Sequence, residues 1–260
     1  MRCVEYKHKH MLAISSDSLR GYGLNRIFSL VKDAGYDGLD LVIDPKDYDS
    51  QNADYIKCLI EDSGLPVISL QLQDPSPKDL KSAIDIAKKI NCRVIIVQPP
   101  TLFSFKKVSW LKREVPKIRA RENISIALEN APAEMILGFI PKHAMNNIVD
   151  MKKFKHACID TTRIALKRQD LIRYYKSLRK YLVHIHLSNV KGVRKYYLPD
   201  DGILPLESFL AKLRQDDFPG TISMRINPKY LHAGDDDKVM KALEEMKKFY
   251  EKYFLNTKNS

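Results

Sequence analysis

The feature that most limits the fold is a repeated change of texture. A short apolar run rich in β-branched residues gives way to a longer stretch with helical periodicity, and the alternation continues to the C-terminus. The runs are "LAISS" (12–16), "GLDLVI" (38–43), "PVISLQ" (66–71), "CRVIIVQ" (92–98), "ISIALEN" (124–130), "ACID" (157–160), "LVHIHLS" (182–188) and "TISMRI" (221–226). Helices are expected at about 24–34, 51–63, 77–90, 105–120, 142–150, 168–179, 205–215 and 235–253. Runs such as "VIIV" have no polar face, as in parallel strands covered by helices on both sides. Eight such units predict an α/β chain folded as a closed (β/α)8 TIM barrel, one domain over residues 1–260. An open doubly wound sheet is the competing arrangement. Against it, "GYGLNR" (21–26) lacks the third glycine of a dinucleotide fingerprint and does not directly follow a strand.

Local chemistry marks some boundaries. Gly35 and Gly64 suit helix C-termini, where φ turns positive, and Pro66 stops a helix from running into the third strand. Asn25 and Asp79 stand near helix starts as weaker caps. Lys and Arg number 44 against 32 Asp and Glu, a formal charge of +12. With no long basic tail, that excess is expected to be a solvated surface or to favour an anionic small molecule over nucleic acid. Cys3, Cys58, Cys92 and Cys158 form no CxxC pair, which fits a reducing compartment with mostly buried thiols. No apolar run reaches the roughly 18 residues of a membrane span, and "MRCVEYKHKHMLAISS" lacks a secretory apolar segment, so a cytoplasmic location is expected. "HKH" (8–10) reads as an exposed polar lead-in to the first strand.

In a TIM barrel, function gathers at the C-terminal ends of the strands. Here those ends carry Ser15, Asp40, Gln71, Gln98, Glu129 with Asn130, Asp160, His184 with His186, and Arg225. A buried carboxylate needs a partner. Glu129 is either half of an ion pair closing the barrel top or a metal ligand or proton-transfer group. Asp160 is either a helix cap or a site residue, and Arg163 a surface salt bridge or a ligand clamp. His184 and His186, two apart on a strand, share a face and could join carboxylates around zinc or manganese. Asn189 can offer an amide at the strand exit. Lys191 and Arg194 frame a loop, "NVKGVRKYYLPDDGILP", in which Tyr196 and Tyr197 either cover a small ligand or pack on the rim. Trp110, Phe103 and Phe105 are expected to pack against a neighbouring element.

These residues carry a resemblance. The chain resembles the xylose isomerase-like TIM barrel superfamily of sugar isomerases and epimerases, inosose dehydratases and an apurinic endonuclease branch. The likeness is clearest in "FSLVKDAGYDGLDLVI" (28–43), "ISIALEN" (124–130), "HIHLSN" (184–189) and "LPDDGILPLESFLAKLRQDDFPGTISMRI" (198–226). It implies a divalent metal, Mn, Zn or Mg, held by a glutamate on strand five, an aspartate on strand six, a histidine on strand seven and a glutamate on strand eight. Glu129, Asp160 and His186 match the first three positions, but Arg225 stands at the fourth. Arginine stays protonated and donates only, so it cannot ligate a cation.

Three further departures alter the mouth, and two of them shift it toward positive charge. Asp40 stands where the family often has glutamate, Arg163 where it usually has histidine, and Asn189 where aspartate is common. The endonuclease branch needs more histidines than the first four strand ends provide. The resemblance therefore implies a sugar, sugar-phosphate or sugar-acid isomerase or epimerase working by proton transfer next to a carbonyl. Glu129, His186 and Arg225 would be catalytic, and Asp40, Arg163, His184, Asn189 and Lys191 would contact an anionic substrate. The metal would be weakened by Arg225. The alternative is a non-catalytic relative that binds an anionic ligand or a partner protein, with Glu129 and Arg225 paired where the metal would sit. No nucleic acid and no membrane are expected as partners, and a homodimer is allowed.

Overall fold

The computed structural model describes residues 10–73, 76–132 and 134–256; Cys3, His8 and Lys9 lie outside them. Eight parallel strands close a barrel: β1 (Met11–Ser15), β2 (Gly38–Val42), β3 (Val67–Leu72), β4 (Val94–Val97), β5 (Ser125–Glu129), β6 (Ala157–Asp160), β7 (Leu182–Leu187) and β8 (Thr221–Met224). Each strand pairs with its sequence neighbours, and β1 closes the ring on β8 with Met11 opposite Thr221 and Ile14 opposite Met224.

The strands obey a period of two. One set of side chains, including Leu39, Leu41, Ile126, Leu128, Ile159, Ile185, Leu187 and Ile222, joins the main apolar core with the helices. The other set is small, polar or charged: Asp40, Ser69, Gln71, Glu129, Asp160, His184, His186 and Ser223 are all buried. Between them, Ile96, Ala127 and Cys158 form a separate apolar cluster. Alternation assigns the second set to the lumen. The interior of this barrel is thus unusually polar where branched apolar residues commonly fill it. At the start of β2, a Cβ on Gly38 would stand 2.7 Å from the Pro66 carbonyl oxygen and closer still to Ile68, so only glycine lets β2 approach β3 there.

The helix ends show how the chain punctuates itself. Gly64 takes φ 68° at the end of Ala53–Ser63, and Gly35 takes φ 72° just past Leu24–Asp33, as their types predict. The N-terminal caps differ from expectation. Asp79 is the third residue of a capping box whose cap is Ser76, and Asn25 lies inside a helix capped by Gly23. The expected helix at 142–150 begins later, at Ile148, because the chain first makes a small hairpin of Met135–Ile136 with Ile140–Pro141. The expected helix at 168–179 is Leu171–Leu178, and an unexpected short helix, Thr161–Leu166, precedes it; each is started by an aspartate cap. Phe103 and Phe105 are exposed rather than packed, whereas Trp110 lies against the core. Cys58 is exposed, while Cys92 and Cys158 are buried. His10 hydrogen-bonds the Phe218 carbonyl. Among the described residues, no helix is long and apolar enough to cross a membrane.

Candidate functional site

The fold brings Asp40, Glu129, Asp160, Arg163, His186 and Arg225 into one buried ion network at the C-terminal mouth of the barrel. Arg225 follows β8 directly, and its backbone N–H still donates to the Leu187 carbonyl at 3.0 Å, so the strand pairing aims it at the mouth. His186 sits at the centre. Its Nδ1 lies 2.5 Å from Glu129 Oε1 and its Nε2 lies 2.9 Å from Asp40 Oδ2. Ionised carboxylates only accept, so both ring nitrogens must carry protons, and His186 is an imidazolium.

The electrostatics agree. Burial favours a neutral ring at His186. The ring nevertheless faces Cys158 and the carboxylates of Glu129 and Asp40, and its pKa is raised well above the ordinary histidine value. Burial pushes the Cys158 thiol up to about 11, so it is neutral at pH 7 and the two carboxylates carry the effect. Burial works against an ionised Asp40, but the charge and hydrogen bond of His186 bring its pKa down to about 2. Glu129 behaves likewise: burial opposes its charge, and Arg163, His186 and Arg225 outweigh burial, leaving it well below the usual carboxylate range.

The two guanidiniums are held unequally. Arg163 Nη1 lies 2.6 Å from Glu129 Oε2 and donates to the Asn130 carbonyl at 3.0 Å, while its Nε lies 3.2 Å from both Asp160 Oδ2 and the Tyr196 hydroxyl. Arg225 reaches Glu129 Oε1 at 3.3 Å, Asp160 Oδ2 at 3.6 Å and Asp17 Oδ2 at 3.5 Å. The Tyr196 ring covers it, with the guanidinium 5.6 Å from the ring centroid. Asp160 is a helix cap and a member of the ion network: Oδ1 accepts from the Arg163 backbone N–H at 3.0 Å, and Oδ2 faces the guanidiniums. The lumen beneath is less satisfied. Ser15 Oγ, both amide atoms of Gln71 and both ring nitrogens of His184 have no hydrogen-bond partner among the described residues. Burial brings the His184 pKa down to about 3, so that ring is neutral.

Other candidate residues lie apart from the network. The Asn189 amide is spent on its own loop: Oδ1 accepts from the Val190 and Leu204 N–H groups at 2.9 Å, and Nδ2 donates to Pro199 at 3.2 Å. A Cβ at Gly202 would strike that amide at 2.3 Å. Lys191 pairs with Asp201 at the exposed tip of a hairpin of Asn189–Lys191 with Arg194–Tyr197, where a loop was expected. Sequence reasoning missed Asp17, which follows β1 on a short 3-10 turn and has no pattern to mark it, and Asn130 as a clasp. The Asn130 Oδ1 accepts from the Asp160 N–H at 2.7 Å, and its Nδ2 donates to the Asp160 carbonyl at 3.1 Å, tying β5 to β6.

Side chains able to chelate a metal are clustered here, in two overlapping sets: Asp40, His184 and His186, and Glu129, Cys158 and His186. Asp160 belongs to neither, so the expected trio of Glu129, Asp160 and His186 is not a preformed ligand set. Both His186 nitrogens are occupied by hydrogen bonds to carboxylates, and Arg225 stands between Glu129 and Asp160. The residues present therefore do not fit a metal at the mouth as they stand. Arg163, Arg225 and the His186 imidazolium balance Asp40, Glu129 and Asp160 charge for charge.

A pH dependence follows. The folded pKa of His186 lies above its unfolded value of about 6.5, so its contribution is complete below that pH and is lost as pH rises through the folded value. His184 is the reverse: its folded pKa of about 3 makes its contribution complete above about 6.5 and lost as pH falls toward 3. Asp40 and Glu129 add to the acid-side loss once pH drops below about 4. Urea unfolding across pH 4–10 should therefore peak near neutrality, with slopes approaching ~1.4 kcal/mol per pH unit for each proton. Nitrogen-15 NMR at pH 8 should show both His186 nitrogens protonated. A neutral His186 tautomer there would remove the third cation.

Comparisons with known proteins agree on the architecture. The xylose isomerase-like TIM barrel family matches residues 28–249. No curated protein matches the chain by sequence. Among solved structures, a D-psicose 3-epimerase from Clostridium cellulolyticum H10 is 14% identical with a TM-score of 0.70, over 94% of this chain and 99% of that one. A xylose isomerase domain containing protein from Salmonella typhimurium LT2 is 14% identical with a TM-score of 0.73, over 92% of this chain and 97% of its own. The IolI protein, described with a binding zinc atom, is 13% identical with a TM-score of 0.72, over 94% of this chain and 99% of its own.

Proposed function

The chain belongs to the xylose isomerase-like TIM barrel family, and on that premise we propose that its mouth is a metal-independent receptor for a small anionic sugar derivative, a sugar acid or sugar phosphate. The observation that carries this reading is the engagement of both Glu129 oxygens by cations, with Arg163 at 2.6 Å on one and His186 at 2.5 Å on the other. A carboxylate so held is a poor proton acceptor, because abstracting a proton would discard those ion pairs. Arg225 is the cation free to meet a ligand. All three of its carboxylate distances exceed 3.2 Å, and a guanidinium matches carboxylate or phosphate oxygens in a bidentate fork. Arg225 is only 7% exposed, so a ligand would enter by displacing the Tyr196 ring.

A second reading is the proton transfer of a sugar isomerase or epimerase. The hydrogen-bonded pair of Glu129 and His186 favours it, since such a pair can relay a proton once a ligand draws Arg225 away. One experiment separates the two. Calorimetric titration with aldonic acids, ketose phosphates and neutral ketoses should show binding of the anionic members only. Arg225→Met should weaken that binding by about 10–100-fold, the loss of one charged hydrogen-bonding partner. Proton NMR of the same mixtures in D2O should show no exchange at carbon next to the carbonyl. Exchange by the metal-free protein would establish the isomerase reading, and preference for neutral sugars would overturn both anion-based readings.

A further inference from the structure

A cleft of about 1080 Å³ lies outside the barrel mouth, between the helix Phe105–Glu122, the excursion after β5 and the turn after Leu166. Its rim is apolar, with Phe105 and Met135 largely exposed. Into it opens Lys167, the C-cap of Thr161–Leu166 and only partly exposed. Its Nζ is fixed by a hydrogen bond of 2.8 Å to Asn146 Oδ1, and Asn146 is in turn pinned by the backbone of Ala131 and Pro132. Among the described residues, no carboxylate lies within ion-pair distance of Lys167. The acids of this cleft are engaged elsewhere: Glu134 pairs with Lys142, and the Asp150 carboxylate accepts from the Asn147 side-chain amide at 2.7 Å and faces Lys112 at 3.7 Å. Arg168 also lines the cleft without a carboxylate partner among the described residues.

We propose that this cleft is a second ligand site, for a small aldehyde bearing an anionic group, and that Lys167 captures the aldehyde as an imine. The apolar rim suits the body of such a molecule, Arg168 and Lys112 its anionic group, and the Asn146 amide keeps the amine at the cleft wall. The step is balanced without a further reactant. The neutral amine attacks the carbonyl carbon and a C–N bond forms; the amine's two protons leave with the carbonyl oxygen as water. Nucleophilic lysines need a neutral amine in a desolvated place without a counter-ion. Burial, with the nearby Arg163 charge second, brings Lys167 down to about 8. The inference does not depend on how the mouth functions.

Pyridoxal 5′-phosphate, a phosphorylated aldehyde, is a direct probe. The full chain is treated with less than one equivalent, reduced with borohydride to fix any imine as a secondary amine, and mapped by peptide mass spectrometry. Lys167 should be labelled at least about tenfold faster than exposed lysines such as Lys57 and Lys117, since a lowered pKa leaves far more of it neutral at pH 7. Pyridoxal, without the phosphate, should label it less. Lys167→Met should lose that one adduct and keep its circular dichroism spectrum. Labelling that simply follows exposure would overturn the proposal, and that measurement needs no variant. Equal labelling by pyridoxal would overturn the anionic part.

Discussion

Glu129→Gln should destabilise the protein by about 3–5 kcal/mol in urea unfolding, a loss typical of breaking a buried ion pair from one side. Glutamine preserves shape and one acceptor oxygen, so packing hardly changes. The charge does change. Arg163 at 2.6 Å, His186 at 2.5 Å and Arg225 at 3.3 Å would share only Asp40 and Asp160 inside the barrel, with partly exposed Asp17 at its edge. His186 would be the first to respond, giving up its proton toward Glu129's position, so the variant should also lose much of the alkaline limb of the stability profile. A cost below about 1 kcal/mol would mean that water reaches the network.

The two arginines should separate sharply. Arg163→Met should also cost about 3–5 kcal/mol, because it strips Glu129 Oε2 and Asp160 Oδ2 of their nearest cation and leaves the Asn130 carbonyl without that donor. Arg225→Met should cost about 1 kcal/mol or less, since its partners keep Arg163 or His186 and its own contacts are long. The double variant Glu129→Gln with Arg163→Met should be less destabilised than the sum of the singles, by about 0.5–3 kcal/mol of coupling. Equal costs for the two arginines would contradict the unequal hold seen here.

Much of this was legible in the sequence, for physical reasons. Each of the eight apolar runs became a barrel strand because a period of two, with one face apolar, leaves a strand few alternatives. Glu129, Asp160, His186 and Arg225 could be picked out because each is a costly residue in an otherwise apolar run. Their partners could not. Asp40 meets His186 across 146 residues of chain, and nothing in local sequence encodes that pairing or the ring's extra proton. The excursion after β5 was misread because a short hairpin followed by a late helix has no sustained period. Asn189 reads in sequence as an amide on offer at the strand exit, yet loop backbone groups from Val190 to Leu204 consume it. Nothing in the sequence marks Lys167; only the fold places Asn146, 21 residues away, against its amine.

The most direct test of the central claim is a cobalt(II) titration of chelator-treated protein, followed by visible absorption, for the wild type beside Arg225→Glu. If guanidinium and imidazolium cations hold the place of the metal, the wild type should bind no stoichiometric cobalt, and Arg225→Glu, which restores an anionic donor beside Glu129 and Asp160, should bind one equivalent. A tight single-equivalent centre in the wild-type protein, abolished by Glu129→Gln, would contradict the account.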